Sequence, residues 1–116
     1  MDLGCHAERA GDLNAMFADR EVKAIVCARG GSGAARLLPL LDYAAIRRNP
    51  KILLGYSDIT ALHLAISRYA GFVTFHGPLL NADLLGDKEP PTVTSFFAML
   101  RGQLKAGSVF SHPVAY

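Results

Sequence analysis

Ser57 and Asp58 lie where the sequence changes from strand-like to helix-like periodicity. The apolar run at residues 52–54 precedes them and is typical of a strand buried on both faces. After it, apolar side chains recur at helical spacing, at Ile59, Leu62, Ile66 and Tyr69. A serine on such a turn projects from the carboxyl end of a sheet, beside the free N–H groups of a helix start. This is the geometry of a nucleophile elbow.

The match to the generic elbow sequence G-x-S-x-G is incomplete. Gly55 and Ser57 fit, but Ile59 stands where the second glycine belongs. Serine and aspartate are also favoured helix N-caps, because their side-chain oxygens accept hydrogen bonds from the first N–H groups. The turn by itself therefore leaves two interpretations open, a nucleophile and a simple cap.

A second candidate site is the glycine-rich stretch at residues 29–36, which follows an apolar segment. It approaches G-x-G-x-x-G, but Arg36 takes the last position and no acidic residue follows at the ribose-binding distance. It also lacks the G-K-[ST] of a Walker loop. Two interpretations remain: a tight turn between strand and helix, or a loop whose bare backbone N–H groups face a ligand.

The elements that must position these residues alternate along the chain. We predict strands near residues 21–28, 52–54 and 72–75, with helices at 8–17, after the glycine loop, at 42–48, after Ser57, and at 92–100. Strands separated by helices form parallel βαβ units. The predicted fold class is α/β, a parallel sheet with flanking helices, with Gly31 and Ser57 at the same edge.

Composition excludes several classes of protein. Hydrophobic residues make up 51% of the 116 residues and charged residues 19%, which is typical of a globular domain. The net charge of +2 is scattered, so no nucleic-acid-binding face is expected. No apolar run approaches the ~18 residues that span a bilayer, so no membrane partner is expected. Residues 1–6 do not resemble a signal peptide, and we expect a cytoplasmic protein.

Cysteines and histidines show no recognised metal-ligand spacing, so neither a metal nor a cofactor is expected. Cys5 and Cys27 are predicted to be free thiols. His76, at the end of the third predicted strand, is either a functional imidazole or a hydrogen-bonded structural residue, and the structural role is favoured.

Two motifs carry a resemblance to a known family. R-G-G-x-G-x-x-R at residues 29–36 and G-Y-S-D at residues 55–58 occur in this order, each at a predicted strand end. With residues 75–78, they resemble the amino-terminal domain of the LD-carboxypeptidases, cytoplasmic serine peptidases of murein recycling that include the microcin-immunity peptidases. The similarity runs from about residue 7 to residue 78 and more weakly beyond.

The resemblance implies roles for individual residues. Ser57 matches the nucleophile, and the backbone N–H groups of Asp58 and Gly31 match the two oxyanion donors. Arg29, Gly30 and Ser32 belong to a loop that would contact the substrate, although the family usually has an aromatic residue at Ser32. The implied substrate is a murein-derived peptide, cleaved before the terminal D-alanine of an L,D-linked tetrapeptide.

The resemblance also implies a division of the molecule. The family's triad is Ser, Glu, His, and its Glu and His lie in a carboxyl-terminal domain. We therefore expect residues 1–102 to be a partial, incomplete amino-terminal nucleophile domain that lacks the family's first strand and helix. Residues 103–116 would begin a linker. Such a chain would be inactive alone and would self-associate, for example as a homodimer.

Three other functions remain open. The first is the corresponding part of a microcin-type peptidase acting on a peptidyl-nucleotide. The second is a non-catalytic phosphate- or nucleotide-binding module using Gly30–Gly33, and the third is a remnant without activity.

Overall fold

The computed structural model describes residues 5–85 and 92–109. Helices and strands alternate through this part of the chain. Their bounds are α1 His6–Ala18, β1 Ala24–Val26, α2 Tyr43–Arg48, β2 Ile52–Gly55, α3 Thr60–Tyr69, β3 Phe75–His76 and α4 Thr92–Leu100. Short 3₁₀ segments occupy Ala34–Leu40 and Ser57–Ile59, and a π-helical turn occupies Leu80–Leu84. Within the described residues, every helix is too short or too polar to cross a membrane.

The three strands form one parallel sheet in the order β1-β2-β3, which confirms the predicted α/β class with a parallel sheet. Ala24 pairs with Ile52, and Leu54 pairs with Phe75. The central strand is β2, and its Leu53 and Leu54 are both buried. Because all three strands run in one direction, the segments that follow β1 and β2 leave the sheet at the same edge. These segments are the glycine-rich loop and the Ser57 turn.

The third strand is shorter than predicted, since only Phe75 and His76 pair with β2. Gly71, with φ +82°, ends α3 in the left-handed conformation, and residues 72–74 then carry the chain to the sheet. Phe72 packs against Phe17 of α1, with 6.4 Å between ring centroids. The β-forming composition of residues 72–74 was therefore overridden by the route from helix to sheet.

The first helix begins two residues earlier than predicted because Cys5 caps it. The Glu8 N–H donates to the Cys5 sulfur at 3.4 Å, and the Cys5 N–H donates to the Glu8 carboxylate at 2.9 Å. This reciprocal arrangement is a capping box with sulfur in place of the usual hydroxyl oxygen. The helix was predicted from the spacing of its apolar residues alone, and a cysteine cap was not predicted.

The helix predicted after the glycine loop is a 3₁₀ segment, Ala34–Leu40. Pro39 lies inside it, and proline lacks the N–H and the space that a continuing α-helix requires. The next helix, α2, follows the prediction more closely. The Asp42 carboxylate accepts the Ala45 N–H at 2.9 Å as its cap, and Asn49 ends the helix.

The core lies between the sheet and the first three helices. Its most enclosed side chains are Phe17, Ile46, Leu53 and Ile66. Leu54, the next residue along β2, faces away from this cluster. There it lines, with Phe96 of α4, an apolar cavity of about 320 Å³. Successive side chains of β2 therefore pack on opposite faces of the sheet.

The end of α4 agrees with the prediction. Gly102 has φ +66°, and the Gln103 N–H donates to the Ala98 carbonyl at 2.9 Å, which closes the helix. The division of the chain at residue 102 stays a prediction, and residues 110–116 of the predicted linker lie outside the described residues.

Candidate active site

Ser57 lies directly after β2, in the 3₁₀ segment that leads into α3. Its φ of +63° is in the left-handed region, which non-glycine residues seldom adopt, and its side chain is exposed. Among the described residues it is the single non-glycine residue with positive φ. A strained backbone of this kind is characteristic of a sharp strand-to-helix turn that presents a nucleophile.

The hydrogen bonds do not support a capping role for Ser57. The N-cap positions of the 3₁₀ segment and of α3 are Tyr56 and Ile59, and neither position has a side-chain cap bond. Asp58 lies in the first turn, where backbone N–H groups have no acceptor within the helix. The turn therefore combines an exposed hydroxyl with an N–H group suited to binding an anion.

The glycine-rich loop lies against Ser57. A Cβ atom added to Gly30 would stand 3.0 Å from the Ser57 Cβ and 3.2 Å from its Oγ. Gly30 therefore has no room for a side chain unless Ser57 shifts. Gly31 has φ +103°, with open space around its Cβ position. Loop and turn, 27 positions apart in sequence, meet at the carboxyl edge of the sheet, where the parallel strands were expected to place Gly31 and Ser57.

The Asp58 side chain makes a second connection between the turn and the loop. Its Oδ2 accepts the backbone N–H of Ala34 at 2.8 Å, in a partly buried bond. Ala34 is the first residue of the 3₁₀ segment after the loop. The Asp58 carboxylate is therefore a helix cap, but for a segment 24 residues away.

The chain that follows β3 crosses the same edge of the sheet. The Gly77 N–H donates to the Gly55 carbonyl at 3.3 Å, and the Leu80 N–H donates to the Cys27 carbonyl at 3.1 Å. The Asn81 N–H donates to the Ala28 carbonyl at 3.0 Å. These bonds tie the segment to the ends of β1 and β2, just before the glycine loop and the Ser57 turn.

His63 holds β2 and the approach to β3 together. Its Nε2 lies 2.8 Å from the Gly55 carbonyl oxygen and must donate to it, since a carbonyl only accepts. Its Nδ1 lies 2.8 Å from the Thr74 hydroxyl, which donates to it in the neutral ring. With both ring nitrogens bonded, His63 is structural. His76 is exposed, with its ring centroid 6.0 Å from that of Tyr56.

The Cys27 thiol, which follows β1, is a poor candidate nucleophile. Burial raises the pKa of the Cys27 thiol, so this side chain is held in its unreactive protonated form. Among residues 5–85 and 92–109, no three His, Cys, Asp or Glu side chains are grouped to hold a metal ion.

A profile of the LD-carboxypeptidase N-terminal domain matches residues 3–77 of the chain. The chain belongs to the LD-carboxypeptidase family. The resemblance inferred from the two motifs is thus confirmed.

Individual relatives agree with this membership. The chain is 52% identical over 90 residues to the probable murein peptide carboxypeptidase of Bacillus subtilis, covering 77% of this chain and 28% of the relative. It superposes with TM-score 0.76 and 31% identity on the muramoyltetrapeptide carboxypeptidase of Oxalobacter formigenes, over 84% of this chain and 34% of that one. For the microcin C7 self-immunity protein MccF in complex with aspartyl sulfamoyl adenosine, the TM-score is 0.79 at 32% identity. This superposition covers 97% of this chain and 35% of MccF. The chain therefore spans about a third or less of these relatives.

The predicted site residues lie at different distances from Ser57. Gly30 is in direct contact range of Ser57, and Gly31 and Asp58 are each next in sequence to one of these two residues. Arg29 and Ser32 are exposed on the same loop, and their contact with substrate stays a prediction.

Two side-chain contacts near this candidate site were not predicted from the sequence. The Asp58 side chain was considered as a cap of its own helix and set aside as a triad acid, and His63 was considered and set aside both as a metal ligand and as a general base. Neither Ala34 nor Gly55 is a partner that local spacing indicates, since these partners become neighbours only when the sheet forms.

We expect His63→Ala to lower the free energy of unfolding by about 1–3 kcal/mol, because the Thr74 hydroxyl loses its ring partner and the Gly55 carbonyl keeps only the longer bond from the Gly77 N–H. Urea denaturation would measure the change. His76→Ala is the matched control: its ring is exposed, and we expect a change within about 0.5 kcal/mol. Equal stability of the two variants would contradict the structural role of His63.

Proposed function

We propose that this chain carries the nucleophile half of a cytoplasmic serine carboxypeptidase that removes the terminal D-alanine from L,D-linked murein tetrapeptides during peptidoglycan recycling. The observation that supports it is the contact between the strained Ser57 turn and the Gly30 backbone. This contact sets a hydroxyl beside two backbone segments that can donate hydrogen bonds. Family membership and the murein peptidase relatives point to the same chemistry.

In the proposed reaction, the Ser57 oxygen attacks the carbonyl carbon that precedes the terminal D-alanine. A new C–O bond forms, and the carbonyl oxygen becomes an oxyanion that accepts hydrogen bonds from the N–H groups of Gly31 and Asp58. The C–N bond then breaks, and the amine of D-alanine leaves with the proton that a general base has taken from the Ser57 hydroxyl. Water hydrolyses the acyl-enzyme and regenerates the Ser57 hydroxyl.

The proposed mechanism needs a general base, and no histidine among the described residues is placed as one. Both nitrogens of His63 are bonded, and the His6 Nε2 lies 3.3 Å from an Arg36 guanidinium nitrogen. His76 lies beside two other rings, those of Tyr56 and His63, at centroid distances of 6.0 and 6.2 Å. We therefore assign the base to a Glu–His pair in the carboxyl-terminal domain that the family resemblance implies, and expect residues 1–116 alone to be inactive.

A microcin-type peptidase is the second candidate. It is supported by the superposition on MccF, whose structure contains aspartyl sulfamoyl adenosine. The two candidates share a nucleophile and an oxyanion site, and they differ in what lies beyond the scissile bond. A non-catalytic phosphate-binding module would instead use the loop amides without Ser57.

The decisive experiment compares substrates on the protein at its full natural length. We expect release of D-alanine from an L,D-linked tetrapeptide, together with covalent labelling of Ser57 by a serine-directed phosphonate. Preferential cleavage of an aminoacyl-sulfamoyl nucleoside would favour the microcin-type candidate. Nucleotide binding without labelling or hydrolysis would refute the peptidase proposal. The same assay on residues 1–116 tests whether the base lies elsewhere.

A further inference from the structure

We propose that the Asp58 carboxylate is a positioning residue, which fastens the glycine-rich loop to the nucleophile turn and so sets the place of the Gly31 N–H. The structural part of this proposal is independent of the reaction. Its catalytic consequence rests on the proposed function, in which the Gly31 and Asp58 N–H groups bind one oxyanion.

The bond that carries the proposal joins distant segments. The Asp58 Oδ2 accepts the Ala34 N–H at 2.8 Å across 24 residues of sequence, and the bond is partly buried. Hydrogen bonds to a charged carboxylate are shorter and stronger than neutral ones. Ala34 is itself buried, at 1% exposure, so packing holds its N–H, the donor of this bond, in place.

The local sequence supplies no alternative cap at this position. The residue before Ala34 is Gly33, which has φ +94° and no side chain that could accept an N–H. The start of the 3₁₀ segment Ala34–Leu40 therefore depends on an acceptor from another part of the chain. Asp58 supplies it from the residue next to the nucleophile.

The loop is consequently held at both ends. Gly30 is pressed against Ser57, where an added Cβ would meet the Ser57 Cβ at 3.0 Å, and Ala34 is bonded to Asp58. Gly31 lies between these two points, with open space around it. A segment with three glycines samples many conformations unless its ends are fixed. Fixing both ends to adjacent residues of one turn keeps the Gly31 N–H near Ser57.

Asp58 thus has two separate tasks. Its backbone N–H is the predicted oxyanion donor, and its side chain points to the partner loop. Removing the side chain leaves the backbone donor in place. The prediction therefore concerns the other donor, the N–H of Gly31. Removing the Asp58 side chain would free the loop that carries this N–H without changing the sequence of the loop.

The test uses Asp58→Ala and Asp58→Asn in the protein at its full natural length. Asp58→Ala is expected to speed hydrogen exchange at the Ala34 amide by about tenfold or more, because the amide loses its acceptor. It is expected to lower kcat by roughly 10- to 100-fold, with KM changed little, since an oxyanion donor acts in the transition state. Asp58→Asn keeps an acceptor oxygen and should restore most of both properties.

Asp42→Ala is the matched control. Asp42 also caps a segment through its carboxylate, accepting the Ala45 N–H at 2.9 Å, but on α2 away from the turn. We expect faster exchange at Ala45, unchanged exchange at Ala34, and unchanged kcat. A general loss of stability would affect kcat in both variants alike.

The outcomes separate this proposal from the proposed function. Unchanged Ala34 exchange in Asp58→Ala would overturn the fastening role, and increased exchange with unchanged kcat would overturn the catalytic consequence. If the wild-type protein hydrolyses no peptide, the proposed function fails. The fastening role is then judged by Ala34 exchange alone, where protection that depends on Asp58 supports it.

Discussion

Replacing Ser57 with alanine is expected to lower kcat for peptide hydrolysis by about 10⁴- to 10⁶-fold, which is the usual cost of removing a nucleophile from a triad. The backbone donors remain, so substrate binding should persist. The measurement is D-alanine release by the full-length protein, together with phosphonate labelling followed by mass spectrometry. Both signals should disappear.

A second substitution separates the hydroxyl from the backbone conformation. Ser57 has φ +63°, which glycine adopts without strain, so Ser57→Gly should be as inactive as Ser57→Ala while keeping or improving stability. Ser67→Ala, an exposed position on α3, is the control and should keep full activity. Substantial turnover by Ser57→Ala would mean that another residue is the nucleophile.

Gly31→Ala is expected to lower kcat by about 100- to 1,000-fold, the typical cost of losing one oxyanion donor. The reason is conformational. Gly31 has φ +103°, which alanine adopts only with strain, although the space around its Cβ position is open. The loop is expected to relax toward negative φ and to turn the N–H away from the oxyanion. Steady-state kinetics on the full-length protein would show the loss in kcat.

Gly71→Ala is the matched control for backbone strain. Gly71 has φ +82° and equally open surroundings, but it lies at the end of α3. Both variants should lose about 1 kcal/mol of stability, because alanine is costly in the left-handed region. Only Gly31→Ala should lose activity. If both variants keep wild-type kcat, the Gly31 N–H is not an oxyanion donor.

Several features of this protein followed from local sequence. The apolar run before Gly55 and the helical spacing after it placed Ser57 on a strand-to-helix turn, and the structure has that turn. The alternation of strands and helices predicted a parallel sheet, and the structure has one. The helix predicted at residues 42–48 is present as α2, and its Asp42 cap involves a residue only three positions away. These are properties of period, turn chemistry and chain order, which act over short distances.

Other features were decided by tertiary structure. The third strand is reduced to two residues because the chain must first carry Phe72 past α1, and strand propensity does not include that route. His63 and Asp58 bond to Gly55 and Ala34, partners that sequence spacing does not indicate. The contact of Gly30 with Ser57 likewise exists only because β1 and β2 pair side by side. Local sequence thus determined which groups leave the edge of the sheet, and strand pairing decided which of them meet, since hydrogen bonds and close contacts depend on distances in space.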